Sequence, residues 1–223
     1  MWSAPPADES QEDKMKVERM VLGQIQTNCY FAINEATKET IVIDPADRPD
    51  SVLRKAVDEG LTLKAIFLTH GHADHMLGVP ELKAKLGIPV YACEAEKALL
   101  ADPAQNLSPA LFRKSVSFAA DVWVKDGQEL EVAGMKFRVY GTPGHTPGGC
   151  CYYSEEAGVL FSGDTLFAGS VGRTDFPGGS MSALVRSIKE KLTPLPDETK
   201  VYPGHMEEST IGAERRYNPY LGG

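Results

Sequence analysis

Short apolar runs rich in β-branched and aromatic residues recur along the chain, separated by glycine, proline and acidic turns. That pattern predicts strands more often than long helices. In the first half, strands are expected at Lys16–Val21, Cys29–Ile33, Thr40–Ile43, Ala65–Leu68 and Pro89–Tyr91. The third should stop at Asp44-Pro45, because proline donates no ladder hydrogen bond and restricts the residue before it. Val52, Leu53, Ala56 and Val57 repeat at helical spacing within 50–59, and Gly60 closes that helix. Pro80–Leu86 reads as a helix with proline in its first turn and Gly87 past its end, and 95–100 as another. Pro103 and Pro109 interrupt 102–120, which predicts a loop with one helical turn. In the second half, strands are expected at Asp121–Val124, Gln128–Val132, Met135–Tyr140, Cys150–Tyr153, Val159–Phe161 and Lys200–Tyr202. A helix over Ser180–Leu192 places Leu184, Val185, Ile188 and Leu192 on one face, with Ser180 or Ser182 as its cap. Both halves run strands first and helix later, which fits two similar layers packed into one α/β domain.

Composition narrows the classes. The 223 residues are 42% hydrophobic, enough for a substantial core, and the formal charge of −8 gives no electrostatic case for a nucleic-acid partner. No apolar stretch approaches a membrane span. The four cysteines, Cys29, Cys93, Cys150 and Cys151, form no Cys-x-x-Cys pair, so buried free thiols are expected, with the adjacent pair on opposite faces of a strand. Residues 1–14 are polar, carry Pro5-Pro6 and precede a second methionine, Met15. They read as a tag or disordered extension without a signal-peptide core, and 15–223 as the folded domain; residence in the cytoplasm is the expectation.

The chemistry concentrates in Thr69-His70-Gly71-His72-Ala73-Asp74-His75, directly after the buried run 65–68. His70 and His72 stand two apart on a chain leaving a strand, where alternate side chains share a face. Asp74 and His75 follow where the chain turns, and so address a different spot. Four such groups suit two metal ions better than one. Three further turns each carry one ligand-type residue: His145 in Thr142–Gly149, Asp164 in Phe161–Thr165, and His205 after Tyr202-Pro203-Gly204. Any one alone is more often an ordinary turn. Yet all five histidines of the chain lie in these loops, which points to one shared centre.

These residues resemble the metallo-β-lactamase superfamily: His-x-His-x-Asp-His, then a lone His, an Asp and a final His. Gly172-Arg173-Thr174-Asp175-Phe176 and Glu214-Arg215-Arg216-Tyr217-Asn218-Pro219 bring the resemblance nearest to the short bacterial glyoxalase II-like hydrolases. The resemblance implies an αβ/βα sandwich, two mixed sheets flanked by helices with metals at one edge. It implies His70, His72 and His145 on one metal, and Asp74, His75 and His205 on the other. Asp164 bridges them, Asp74 also serves catalysis, and Asp44 supports the loops without being a ligand. Two divalent ions are implied, zinc first, with iron and manganese compatible with the same donors. Each ligating histidine needs a partner for its second ring nitrogen, which sequence alone does not name.

Two ions roughly 3.5–4 Å apart lower the pKa of a shared water to about 7. The expected reaction is attack of that bridging hydroxide on a thioester, of the S-lactoylglutathione type, whose thiolate leaves without prior protonation. The substrate is expected to be a small molecule; the oligomeric state is left open. Arg173 and Phe176 are candidate substrate contacts, although a salt bridge from Arg173 to Asp175 accounts for that arginine equally well. Only eighteen residues follow His205, too few for the helical segment that supplies basic contacts to glutathione in longer relatives, so weak glutathione binding is expected. Met206 stands where the short relatives usually have glycine. Two rivals remain: a persulfide dioxygenase with one iron, and a non-catalytic module whose metals brace a binding surface. The Tyr-Pro-Gly-His stretch resembles the hydrolases, because the dioxygenases tend to have alanine before that histidine.

Overall fold

The computed structural model describes residues 14–221, so nearly all of the extension expected at 1–14 lies outside the described residues. Strands β1 (Met15–Leu22), β2 (Thr27–Asn34) and β3 (Glu39–Ile43) form an antiparallel meander, and helix α1 (Pro49–Asp58) returns the chain to β4 (Thr62–Phe67). Helices α2 (Ala73–Met76) and α3 (Val79–Leu86) precede β5 (Val90–Cys93), and α4 (Lys97–Ala101) and α5 (Ser108–Phe112) precede β6 (Val122–Val124). Strands β3 to β6 run parallel, completing a six-stranded mixed sheet in the order β1 to β6. The second half repeats this plan. Strands β7 (Glu129–Val132), β8 (Met135–Gly141), β9 (Cys150–Ser154) and β10 (Val159–Gly163) form a meander. A two-stranded hairpin, β11 (Leu166–Phe167) and β12 (Ser170–Val171), follows, and then α6 (Met181–Ser187). Strand β13 (Lys200–Pro203) pairs parallel with β10, β14 (Ser209–Thr210) closes the edge, and α7 (Ile211–Tyr217) ends the fold.

Three apolar layers follow from this plan. On the outer face of the first sheet, Val52 and Ala56 of α1 and Val79 and Leu82 of α3 pack on Phe31, Val42 and Ile66. Between the sheets lie Tyr30, Phe67, Phe137, Tyr152, Phe161 and Tyr202. Outside the second sheet, Leu184, Ile188, Leu192 and Ile211 cover Leu160 and Val201. Each such side chain contributes roughly 1.5–3 kcal/mol by leaving water. Cys150 belongs to the middle layer and Cys151 to the outer one, the alternation expected of neighbours in a strand. All four cysteines are free and buried. No helix among the described residues is long and apolar enough to cross a membrane.

Most predicted elements form, with informative differences. The turn expected at Asp74-His75 is the one-turn helix α2. The predicted helix 180–192 is α-helical only to Ser187; Ile188–Leu192 widens into a π-type turn. Ser180 caps it, its hydroxyl accepting from the Ala183 N–H at 3.3 Å. Helix α7 and the β11–β12 hairpin carry too few apolar positions for a periodic signal. Their partners are supplied by tertiary contact.

Parallel pairing sets the site. In β3–β4, Ile43 stands opposite Phe67, so Asp44 and Thr69 leave the first sheet side by side. In β10–β13, Gly163 stands opposite Pro203, so Asp164 and His205 leave the second sheet together. The Cys150 N–H donates to the Thr69 carbonyl at 2.9 Å, and the Asn28 N–H to the Gly204 carbonyl at 2.7 Å, joining the sheets at this edge. Loops beyond the carboxyl ends of parallel strands are where α/β proteins hold ligands.

Candidate metal centre

All seven ligand-type residues meet at this edge. His70, His72 and His145 each offer a ring nitrogen to one spot, with the offered atoms within 4.8 Å of one another. Asp74, His75 and His205 do the same at a second spot, and Asp164 groups with His70 and His75 between them. Asp164 Oδ1 lies 3.3 Å from His75 Nε2, and its Oδ2 lies 3.5 Å from His145 Nε2 and 3.6 Å from His205 Nε2. Asp74 Oδ2 is 3.2 Å from His205 Nε2. Gly204 permits this approach: a Cβ there would overlap Asp164 Oδ1 and sit 2.6 Å from His75 Cε1.

Hydrogen bonds at the far side of three of the rings decide which nitrogen faces inward. His145 Nδ1 donates to the Arg173 carbonyl at 2.7 Å, so its Nε2 carries the lone pair. His75 Nδ1 donates to Asp44 Oδ2 at 2.9 Å. The Thr69 hydroxyl gives its one proton to the same oxygen at 2.6 Å, and so accepts from His70 Nδ1 at 3.2 Å. The Thr69 N–H donates to Asp44 Oδ1 at 2.9 Å. One buried carboxylate therefore orients a histidine in each set. Asp44 reaches this position with a left-handed φ of 50°, a conformation aspartate tolerates better than most residues.

The donor set fits a cation pair. His70 Nε2 and Asp164 Oδ1 are buried and have no hydrogen-bond partner, which is costly unless a Lewis acid takes those lone pairs. Burial, aided by the other imidazoles, pushes His70 well below the usual histidine range. Burial likewise pushes His72 down to about 4, so both offer neutral nitrogens. His75 goes the other way: against its burial, Asp74, Asp164 and Asp44 hold it well above the usual range. Asp164, despite complete burial, is held well below the usual carboxylate range by His75, His205 and His145. No thiolate takes part: burial raises the Cys29 and Cys150 thiols well above normal.

Sequence reasoning missed Glu96. It is fully buried; Oε2 accepts from the Gly71 N–H and Oε1 from the Gly148 N–H, both at 2.7 Å, tying the His70 loop to the His145 loop. A glutamate in a predicted helix carries no signal of such a role. Glu96→Ala would leave both N–H groups buried and unpaired, and is expected to lower the unfolding free energy by about 2–4 kcal/mol. A denaturant midpoint measures it, with Glu96→Gln falling between the two. The C-terminal motif also finds its reason here. Glu214 Oε2 accepts from the Gly169 N–H at 2.9 Å, and Asn218 Nδ2 donates to the Ser170 carbonyl at 2.9 Å, so α7 holds the β11–β12 hairpin against the site.

The centre opens into a cleft of about 620 Å³. Phe176 lines it, its ring 5.5 Å from that of His72. Arg173 also lines it, but its Nε and one terminal nitrogen donate to the two Asp175 oxygens at 2.6 Å each. Its salt-bridge reading is the one that forms.

A profile of the metallo-beta-lactamase superfamily matches residues 22–205. The chain belongs to that superfamily. The metallo-beta-lactamase fold expected from the motifs is thus the fold observed, and the chain is a hydrolase-like metalloenzyme of the superfamily. The hydroxyacylglutathione hydrolase GloC of Haemophilus influenzae is 34% identical over 209 residues, covering 93% of this chain and 98% of that protein. The crystal structure of BLEG-1 B3 metallo-beta-lactamase matches with a TM-score of 0.89 at 40% identity, covering 93% of this chain and 100% of that one. The crystal structure of TTHA1623 in a di-iron-bound form matches with a TM-score of 0.81 at 35% identity, covering 92% and 100%.

Proposed function

We propose that the chain hydrolyses a small-molecule thioester, of the hydroxyacylglutathione type, at a dinuclear centre. The observation that carries this reading is the pair of three-residue donor sets joined by Asp164 at the floor of an open cleft. In this reading His70, His72 and His145 would hold one ion, Asp74, His75 and His205 the other, and Asp164 would serve both. When bound, such a pair supplies an activated water and stabilises the developing oxyanion. The residues of the chain do the rest. Asp44, Thr69 and the Arg173 carbonyl fix the ring orientations, and Asp74 holds charge beside the reacting position. The name of the Haemophilus relative supports the hydroxyacylglutathione class; the name of BLEG-1 favours a second reading, β-lactam hydrolysis by the same centre. Leaving-group chemistry separates them. An amine must be protonated as it departs, whereas a thiolate leaves bare. Among the cleft-lining residues, every carboxylate belongs to a donor set and the one guanidinium is paired.

Metal analysis of protein purified without chelator is expected to give close to two ions per chain, zinc first. Assays of that protein with lactoylglutathione, a chromogenic cephalosporin, and glutathione persulfide plus oxygen then decide the reaction. Thiol release from the first alone is expected. Cephalosporin opening without thiol release assigns the lactamase reading. A single iron per chain with oxygen uptake assigns the dioxygenase.

A further inference from the structure

Three residues at the cleft rim hold left-handed backbone conformations without being glycine: Gln26 (φ 58°), Leu107 (φ 68°) and Met206 (φ 67°). They sit on three separate loops, and each such conformation is unfavourable for a residue with a Cβ. At two of the three, the strain is held by bonds to distant parts of the chain. The Met206 carbonyl accepts from Asn28 Nδ2 at 2.9 Å and Arg19 Nη1 at 3.2 Å. Leu107 lies between fully buried Asn106, whose carbonyl accepts from the Ala73 N–H at 2.8 Å, and the start of α5. Strain that clusters around a site and is held from outside it points to function.

Apart from Gln26, what these loops present to the cleft is apolar. Leu107 and Met206 line the cleft with Ile25, Leu111, Phe167 and Phe176. Ile25, Leu111 and Met206 are 38%, 41% and 57% exposed, unusual for side chains that gain by burial. The charge pattern agrees. Arg173 is the one cation lining the cleft; besides its pairing with Asp175, its guanidinium lies 4.2 Å from the Phe176 ring centre. An anionic group would find no unpaired lysine or arginine among the cleft-lining side chains, whereas a hydrocarbon chain would find a wall.

We propose that this rim is a subsite for an uncharged aliphatic chain of the substrate. The inference rests on the proposed function only for which bond is broken beside it. The shared chemistry is an alkyl chain, carried on either the acyl or the thiol side of the thioester.

Binding of straight-chain carboxylates, acetate to octanoate, to the metal-loaded protein tests the subsite without hydrolysis. Calorimetry is expected to show roughly two- to fourfold tighter binding per added methylene. Leu111→Ser and Met206→Gly should each flatten that slope with metals per chain unchanged; the glycine also relieves the strained φ, so it is not expected to unfold the protein. A flat slope in the parent chain, or a slope unchanged in both variants, overturns the subsite. Lengthening first the acyl chain on N-acetylcysteamine, then the alkyl thiol on an acetyl group, identifies the side by which kcat/KM rises. A glutathione thioester preferred tenfold over its N-acetylcysteamine counterpart, with the preference lost in Arg173→Ala, also overturns it. If no thioester is cleaved, the proposed reaction fails while carboxylate binding still judges the subsite.

Discussion

Asp164→Asn is expected to strip the centre of metal and activity together. The carboxylate reaches His75 with one oxygen and His145 and His205 with the other, so its charge faces both donor sets. An amide keeps the shape, but it removes the negative charge and directs N–H hydrogens at a spot where lone pairs converge. Metal content should fall below one ion per chain, with kcat/KM lower by on the order of 10²–10³. Asp175→Asn is the control. Asp175 is exposed and touches Arg173, outside both donor sets. It should keep its metals, and equal metal loss from the two variants would remove Asp164 from the bridging role.

Asp44→Asn should do its damage at one remove. Asp44 accepts from the Thr69 N–H, the Thr69 hydroxyl and His75 Nδ1, with no donor of its own. An asparagine that keeps its oxygen on the Thr69 N–H turns its NH₂ towards His75 Nδ1 and the Thr69 hydroxyl, which must then accept instead of donate. Nδ1 then has to accept, and the ring proton moves to Nε2, the atom facing Asp74 and Asp164. The second donor set loses a lone pair without losing a residue. Metal affinity is expected to fall by roughly 10–100-fold, the usual effect of losing an outer partner of a ligand, with the fold retained. Chelator competition measures the affinity. Asp44→Ala tests the tautomer argument: it removes both oxygens and so all three hydrogen bonds, and should also lower the unfolding midpoint, which Asp44→Asn should largely spare. Unchanged chelator competition in Asp44→Asn would mean that the His75 tautomer is set elsewhere.

The sequence by itself determined the strand-rich α/β plan and the residues that converge. Alternation and short apolar runs report local geometry, so β2, β3, β8, β9 and β10 were legible from their own letters. The seven donors were legible because five histidines in three turns, with an aspartate in a fourth, is a pattern that chance turns do not make. Glycine and proline positions likewise announced where β3 stops and where α3 begins and ends. Tertiary structure alone decided the rest, because the remaining features arise from partners distant in the chain. The pairing of Asp44 with Thr69 and His75 depends on β3 and β4 ending in register, which no local pattern encodes. Glu96 looks like any helix glutamate until two ligand loops bring their N–H groups to it. Helix α7 is too short to show periodicity and exists through its contacts with β12 and the outer core. The strained backbone at Gln26, Leu107 and Met206 runs against local propensity altogether. At Met206 it is held by Asn28 and Arg19, and beside Leu107 by the bond from Ala73 to the Asn106 carbonyl, and only the folded chain brings these partners to the rim of the cleft.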